Sequence, residues 1–193
     1  WYNALSNENY LLQLSQLGSG YSVYRTQMGN LVTRLAWPHD DAGRFFYLRD
    51  AKSGRFWSPT AWPVETDTKA FDRWTCTYRP GFMEWAAVRD GIEVRLTVRV
   101  AIDDNVELYR LEFVNRENRP RELDLFLSVE WAFQGAPHEL GSSVRCDFDR
   151  QAGCLVGNLE IPPQWRYQQT GFLASSLPTL SWEGSRRHFL GQP

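Results

Sequence analysis

Apolar residues occupy every second position from Ile92 to Val100, with Glu93, Arg95, Thr97 and Arg99 between them. A period of two gives a strand one buried face and one wet face. Met83 to Val88 reads as a second strand. Asp90-Gly91 between the two runs is a hairpin signal, because glycine adopts positive φ without a Cβ clash. Val106 to Val114 and Leu123 to Glu130 form a further pair, separated by the turn formers Asn115 to Pro120. In the last run Leu123, Leu125, Leu127 and Val129 make the buried face and leave Asp124, Phe126, Ser128 and Glu130 on the other. These four runs predict a four-strand meander.

The front half is β-like as well. Tyr10 to Ser15, Tyr21 to Thr26, Arg44 to Arg49 and Arg55 to Trp57 are short strands bounded by Gly18, Gly20, Gly29 and Gly43, with a turn at Lys52-Ser53-Gly54. No window has the spacing of an amphipathic helix, and no Gly/Ser linker or internal repeat divides the chain. The pattern predicts an all-β fold of antiparallel sheets packed face to face, as one domain over residues 1–193.

Composition narrows the function classes. A chain of 193 residues suits one all-β domain, and nine Trp, eight Tyr and eleven Phe supply core bulk as well as flat surfaces on which sugars could stack. A net charge of -2 and the lack of any basic run argue against a nucleic-acid partner. Lys52 and Lys69 are the only lysines among 21 basic residues, and the remaining arginines suit bidentate contacts to hydroxyl-rich ligands or phosphate. No apolar run approaches the roughly 18 residues of a spanning helix, so no membrane role is expected. Cys76, Cys146 and Cys154 include no CxxC pair and predict neither a disulfide framework nor a zinc site. A reducing, cytoplasmic location is expected, provisionally, because the chain opens on Trp1 and its natural start is expected to lie upstream.

Several short segments, taken in order, resemble one family. Trp1-Tyr2-Asn3 and Gly20-Tyr21-Ser22 match its opening Trp-x-Asn and Gly-Tyr-Ser elements. Leu31-Val32-Thr33-Arg34 matches a Leu-Thr strand and Tyr47-Leu48-Arg49-Asp50 a Tyr-x-x-Asp block; Gly54 and a Trp-Ser-Pro step at Trp57-Ser58-Pro59 follow. Val100 to Asp104, Glu130-Trp131 and Phe189-Leu190-Gly191 match its later acidic turn, Glu-Trp strand end and Phe-Leu-Gly element. Over nearly its whole length the chain resembles the amino-terminal β-sandwich domain of glycoside hydrolase family 94, formerly glycosyltransferase family 36. That family includes cellobiose and chitobiose phosphorylases and cyclic β-1,2-glucan synthases. Tyr78-Arg79-Pro80-Gly81-Phe82 departs from it, standing where many relatives carry Arg-His-Gly-x-Gly-Tyr.

The resemblance implies a large antiparallel sandwich of the supersandwich, galactose-mutarotase-like type, incomplete at both ends and separated from a catalytic (α/α)6 barrel. In such relatives the barrel supplies the acid that protonates the glycosidic oxygen, while inorganic phosphate attacks the anomeric carbon from the opposite face. No residue of this chain is assigned that acid, and no cofactor or metal is expected; phosphate would be co-substrate of the full-length enzyme. The implied work is noncatalytic: packing on the barrel, walling a cleft for a β-linked oligosaccharide or glucan, and contributing to a homodimer. A freestanding carbohydrate-binding module is the alternative. A mutarotase-like enzyme is a third reading, disfavoured by three scattered His without recognisable spacing.

The resemblance places a loop that reaches toward an active site just after the Glu-Trp strand end. His138, Glu139 and Arg145 are therefore the candidate substrate-binding residues. Other constellations favour blander roles. His39-Asp40-Asp41 reads as a solvated turn rather than a metal site, and Trp57 and Trp62 as packing rather than a sugar platform. Glu130 reads as a structural hydrogen-bonding carboxylate, and Cys146 and Cys154 as inert small residues.

Overall fold

The Ile92–Val100 strand forms over the expected residues, and its alternation holds except at Glu93, which is buried, and Val100, which is half-buried. The computed structural model of the chain describes residues 1–25, 30–35, 43–134, 144–159 and 169–191. Its strands, in chain order, are β1 (Tyr2–Ser6), β2 (Tyr10–Ser15), β3 (Gly20–Tyr24), β4 (Asn30–Thr33), β5 (Arg44–Asp50), β6 (Phe56–Trp57), β7 (Arg73–Arg79), β8 (Phe82–Arg89) and β9 (Ile92–Val100). They continue with β10 (Glu107–Asn115), β11 (Leu123–Val129), β12 (Trp131–Gln134), β13 (Val144–Asp149), β14 (Cys154–Leu159) and β15 (Thr170–Ala174), and one short helix, α1 (Arg186–Phe189), follows. In β9 the side chains of Ile92, Val94, Leu96 and Val98 are buried. The hairpin from β8 to β9 turns on Asp90 and Gly91, both at positive φ, as the Asp-Gly pair predicts.

The strands form a five-stranded sheet in the order β1-β2-β3-β4-β12, a four-stranded sheet β10-β9-β8-β7, and two three-stranded sheets, β11-β5-β6 and β13-β14-β15. All the pairings among the described residues are antiparallel, as expected of an all-β sandwich. The four-stranded sheet packs against the other two large pieces. Met83, Trp85, Leu96 and Val98 meet Leu5, Tyr10, Leu12 and Leu14 of the five-stranded sheet and Phe46 of β5. Ala87, Ile92 and Val94 meet Leu48, Trp57, Ala61 and Phe71 in a second cluster. Period-two alternation from two facing sheets thus makes the interior.

The expected four-strand meander is not formed. β8, β9 and β10 are neighbours in one sheet, but β11 crosses to the opposite layer and pairs with β5, from Leu123 opposite Asp50 to Val129 opposite Arg44. The remaining place in the four-stranded sheet is taken by β7, which precedes β8. The physical reason lies in the connection before β11. The Arg121 side chain, 7% exposed, is held by Asp50 Oδ2 at 2.8 Å, Glu117 Oε2 at 2.7 Å and the Asp90 carbonyl at 2.7 Å. These bonds pin the connection to both layers and carry the chain across the sandwich edge.

Asp50 also accepts from the Ser53 amide at 2.6 Å. That bond, then the Ser53 hydroxyl and Arg121, hold its carboxyl far below the usual carboxylate range. A group depressed on folding contributes stability that is fully present above its unfolded value, near 3.8, and is lost as pH falls through the lower folded value. Asp50→Asn is therefore expected to flatten the loss of stability below pH 3.8. Urea unfolding at a series of acid pH values checks this, and an unchanged acid limb would refute it.

Candidate functional site

The Glu-Trp landmark is the corner of the sandwich. A single residue, Glu130, separates β11 in one sheet from β12 in another. Their partners make the same change, since β11 pairs with β5 and β12 with β4. Backbone pairing continues through the corner: the Glu130 amide donates to the Gly43 carbonyl at 2.8 Å, and the Arg34 amide donates to the Glu130 carbonyl at 2.7 Å. Gly43 has φ 120°, and a Cβ there would lie 2.3 Å from the Gly20 carbonyl oxygen, so only glycine fits.

The Glu130 carboxylate clamps this corner. Oε2 accepts from Arg34 Nη1 at 2.9 Å, and Oε1 pairs with Arg186 Nε of α1 at 3.0 Å. In the same helix Phe189 packs against Tyr47 of β5, ring centroids 6.1 Å apart. Burial, the largest influence, raises the Tyr47 hydroxyl above its ordinary value. Three landmarks distant in sequence, Tyr47, Glu130 and Phe189, therefore meet at one place. The structural reading of Glu130 holds.

Beyond the corner the chain builds a platform. Trp131 and Phe133 stack with centroids 5.8 Å apart at 19°, and a bulge between Trp131 and Gln134 leaves Phe133 at φ 51°. These rings lie against a glycine pair, Gly157 and Gly171, which face each other across β14 and β15. A Cβ on Gly157 would fall 2.1 Å from Trp131 Cε3, and one on Gly171 2.7 Å from Phe133 Cζ. On the same small sheet Phe148 stacks on Trp182, centroids 6.5 Å apart.

Of the candidate substrate residues, Arg145 sits on β13 with its side chain 67% exposed and its Nε 2.9 Å from Asp147 Oδ2. In register it stands opposite Asn158, whose Oδ1 accepts from Thr170 Oγ1 at 2.8 Å. This is a polar strip on an open face, with exposed Phe172 on the same strand as Thr170. His138 and Glu139 lie outside the described residues, as do His39, Asp40 and Asp41. The segment that carries His138 and Glu139 leaves from β12 and returns into β13, so the platform is its stem.

Trp57 is 5% exposed and meets Phe71 edge-on at 5.8 Å, which agrees with its packing role. Burial raises the Cys146 thiol, with Asp147 adding to the effect, and pushes Cys76 up to about 11. Neither is poised as a nucleophile. Among the described residues no His, Cys, Asp and Glu side chains gather into a group able to hold a metal ion, and no helix is long and apolar enough to cross a membrane.

Sequence reasoning missed a buried polar cluster beneath the corner. Arg44, 4% exposed at the start of β5, pairs through Nε with Glu107 Oε2 at 2.8 Å and through Nη2 with Glu107 Oε1 at 3.0 Å. Its Nη2 also donates to Thr33 Oγ1 at 3.0 Å and to the Ser22 hydroxyl. Glu107 further accepts from Tyr10 at 2.7 Å, from Tyr109 and from Ser22. Burial opposes the charge on Arg44, but Glu107, Tyr109 and Tyr10 outweigh it and hold the guanidinium above its ordinary value. Burial raises both tyrosine hydroxyls well above theirs. The usable signal was Glu107 itself, a carboxylate at an inward position of β10 in line with Tyr109 and Leu111.

Facing antiparallel sheets with a clamped corner and an appended three-stranded sheet define a large β-sandwich domain. The chain belongs to glycosyl hydrolase family 94, whose supersandwich domain matches residues 1–193. It is 32% identical over 153 residues to the solabiose phosphorylase of Paenibacillus borealis, covering 77% of this chain and 19% of that protein. It is 28% identical over 200 residues to the 3-O-beta-D-glucopyranosyl-beta-D-glucuronide phosphorylase of the same organism, covering 99% of this chain and 24% of the relative. With the N,N'-diacetylchitobiose phosphorylase of Vibrio proteolyticus it shares 26% over 199 residues, again 99% and 24%. The chain thus spans 19–24% of the length of these relatives.

Proposed function

We propose that this chain is the noncatalytic sandwich domain of an inverting glycoside phosphorylase acting on a β-linked oligosaccharide or glucan. The observation that carries the reading is the whole-chain match to the supersandwich domain, together with relatives that are named as phosphorylases. In this reading the domain packs on a helical barrel, and inorganic phosphate enters as co-substrate of the complete enzyme in the cytoplasm. The segment between β12 and β13, with His138, Glu139 and the adjoining Arg145, walls the substrate cleft. The fixed stem supports that role, since both of its flanking strands belong to ordered sheets. Packing and homodimer contacts draw support from exposed apolar side chains late in the chain: Phe172 at 58%, Leu177 at 60% and Leu180 at 93%.

The test is titration calorimetry of this chain against cellobiose, laminaribiose, sophorose and linear β-glucans, with a phosphorolysis assay on the same sample. The expected outcome is no turnover and no binding at millimolar sugar, because the acid and most of the cleft lie elsewhere. Binding of one linkage without turnover would favour the carbohydrate-binding module, for which the strip around Arg145 and Phe172 would be the place to look. Turnover by this chain alone would overturn the noncatalytic role.

A further inference from the structure

We propose that the interior of the sandwich is a binding site for one structural water molecule, held by Arg44 Nη1. The side-on pairing of Arg44 with Glu107 uses Nε and Nη2, and Nη2 also serves Ser22 and Thr33. Nη1, on the opposite edge of the planar guanidinium, is buried and has no acceptor among the described residues. An ionised donor left without an acceptor in a low-dielectric interior is costly, and native structures resolve such cases with ordered water.

A site for that water adjoins the group. Arg44, Thr60 and Tyr109 are polar residues lining a small recess that has room for about one water, and Val98 is among its apolar lining. The bonding capacity is sufficient. Tyr109 donates its proton to Glu107 and keeps lone pairs free to accept. The Thr60 hydroxyl donates to the Trp62 carbonyl at 3.0 Å, accepts from the Ser58 hydroxyl at 2.8 Å, and keeps one lone pair free. The water would accept from Nη1 and donate to these two oxygens. Gly18 makes the arrangement feasible, because a Cβ there would come within 2.6 Å of the Thr60 side chain. The cluster of Arg44, Glu107, Ser22, Thr33, Tyr10 and Tyr109 is then a network closed by solvent, not an ion pair with a dangling donor.

Two measurements on this chain test the assignment. A crystal structure that resolves ordered water is expected to show one molecule within hydrogen-bond distance of Arg44 Nη1; a dry cavity, or Nη1 bonded to a protein carbonyl, overturns the proposal. In solution, magnetic relaxation dispersion of water oxygen is expected to count one fewer long-lived water in Val98→Ile, which adds a methyl group to the cavity wall. The urea midpoint of that variant is expected to fall. An unchanged count of long-lived waters, or a more stable variant, would mean that the cavity is apolar in character and the assignment is wrong.

Discussion

Replacing Glu107 with Leu is expected to destabilise the fold by about 3–5 kcal/mol, measured by urea unfolding. The size follows from what is left behind. Arg44 is 4% exposed and Glu107 is its only ionised partner among the described residues, so the variant strands a buried charge. Tyr10 and Tyr109 lose their acceptor at the same time. The double variant Arg44→Met with Glu107→Leu is expected to recover most of the loss, since an apolar pair of similar volume often replaces a buried ion pair without penalty. A single variant costing less than about 1 kcal/mol would remove the pair from the interior account. If the double variant is as unstable as the single one, lost packing rather than an uncompensated charge is the cause.

The second large effect is expected at Gly157. Its ideal Cβ position lies 2.1 Å from Trp131 Cε3, and ring and glycine are both held by their strands. Gly157→Ala is expected to cost roughly 1–3 kcal/mol as overpacking. The disturbance should appear first as a change in tryptophan fluorescence, because Trp131 must leave its stack with Phe133. Combining the substitution with Trp131→Ala is expected to remove most of the added cost, which is the coupling anticipated for groups in direct contact. Additive costs in that cycle would show that the glycine serves backbone conformation, not the rings.

The contrast between β9 and β11 shows where sequence was sufficient. β9 alternates without interruption and turns on an Asp-Gly pair, so its bounds, its apolar face and its partner β8 were readable, while burial of Glu93 on the other face comes from Arg73 and Arg116, residues outside the strand. β11 alternates as clearly, but alternation says nothing about which sheet a strand joins. That choice is made by Arg121 reaching Asp50 and Asp90, contacts between residues far apart in the chain. β7 was overlooked for a different reason: as an edge strand it buries little beyond Trp74 and Cys76, and its pattern is correspondingly faint.

The site divides along the same line. Glu130 could be read as structural because a strand-end carboxylate without a second at fixed distance has little catalytic use, yet its partners Arg34 and Arg186 required the fold. Gly157 and Gly171 invite reading as chain punctuation, which hides the small sheet they belong to. In place, their bare backbones are the surface on which two rings rest. Arg145 was locatable on an exposed strand flank only once β13 and its register with β14 were known.

The stem between β12 and β13 has a bearing on how such a domain can change over generations. Its geometry is fixed by a ring stack, a glycine pair and a corner carboxylate, all of them outside residues 135–143. That frame is therefore set by Trp131, Phe133, Gly157, Gly171 and Glu130, whatever side chains the sequence carries between the two strands. Such a frame is inherited as one unit, since a change at either glycine must be answered at the ring that rests on it.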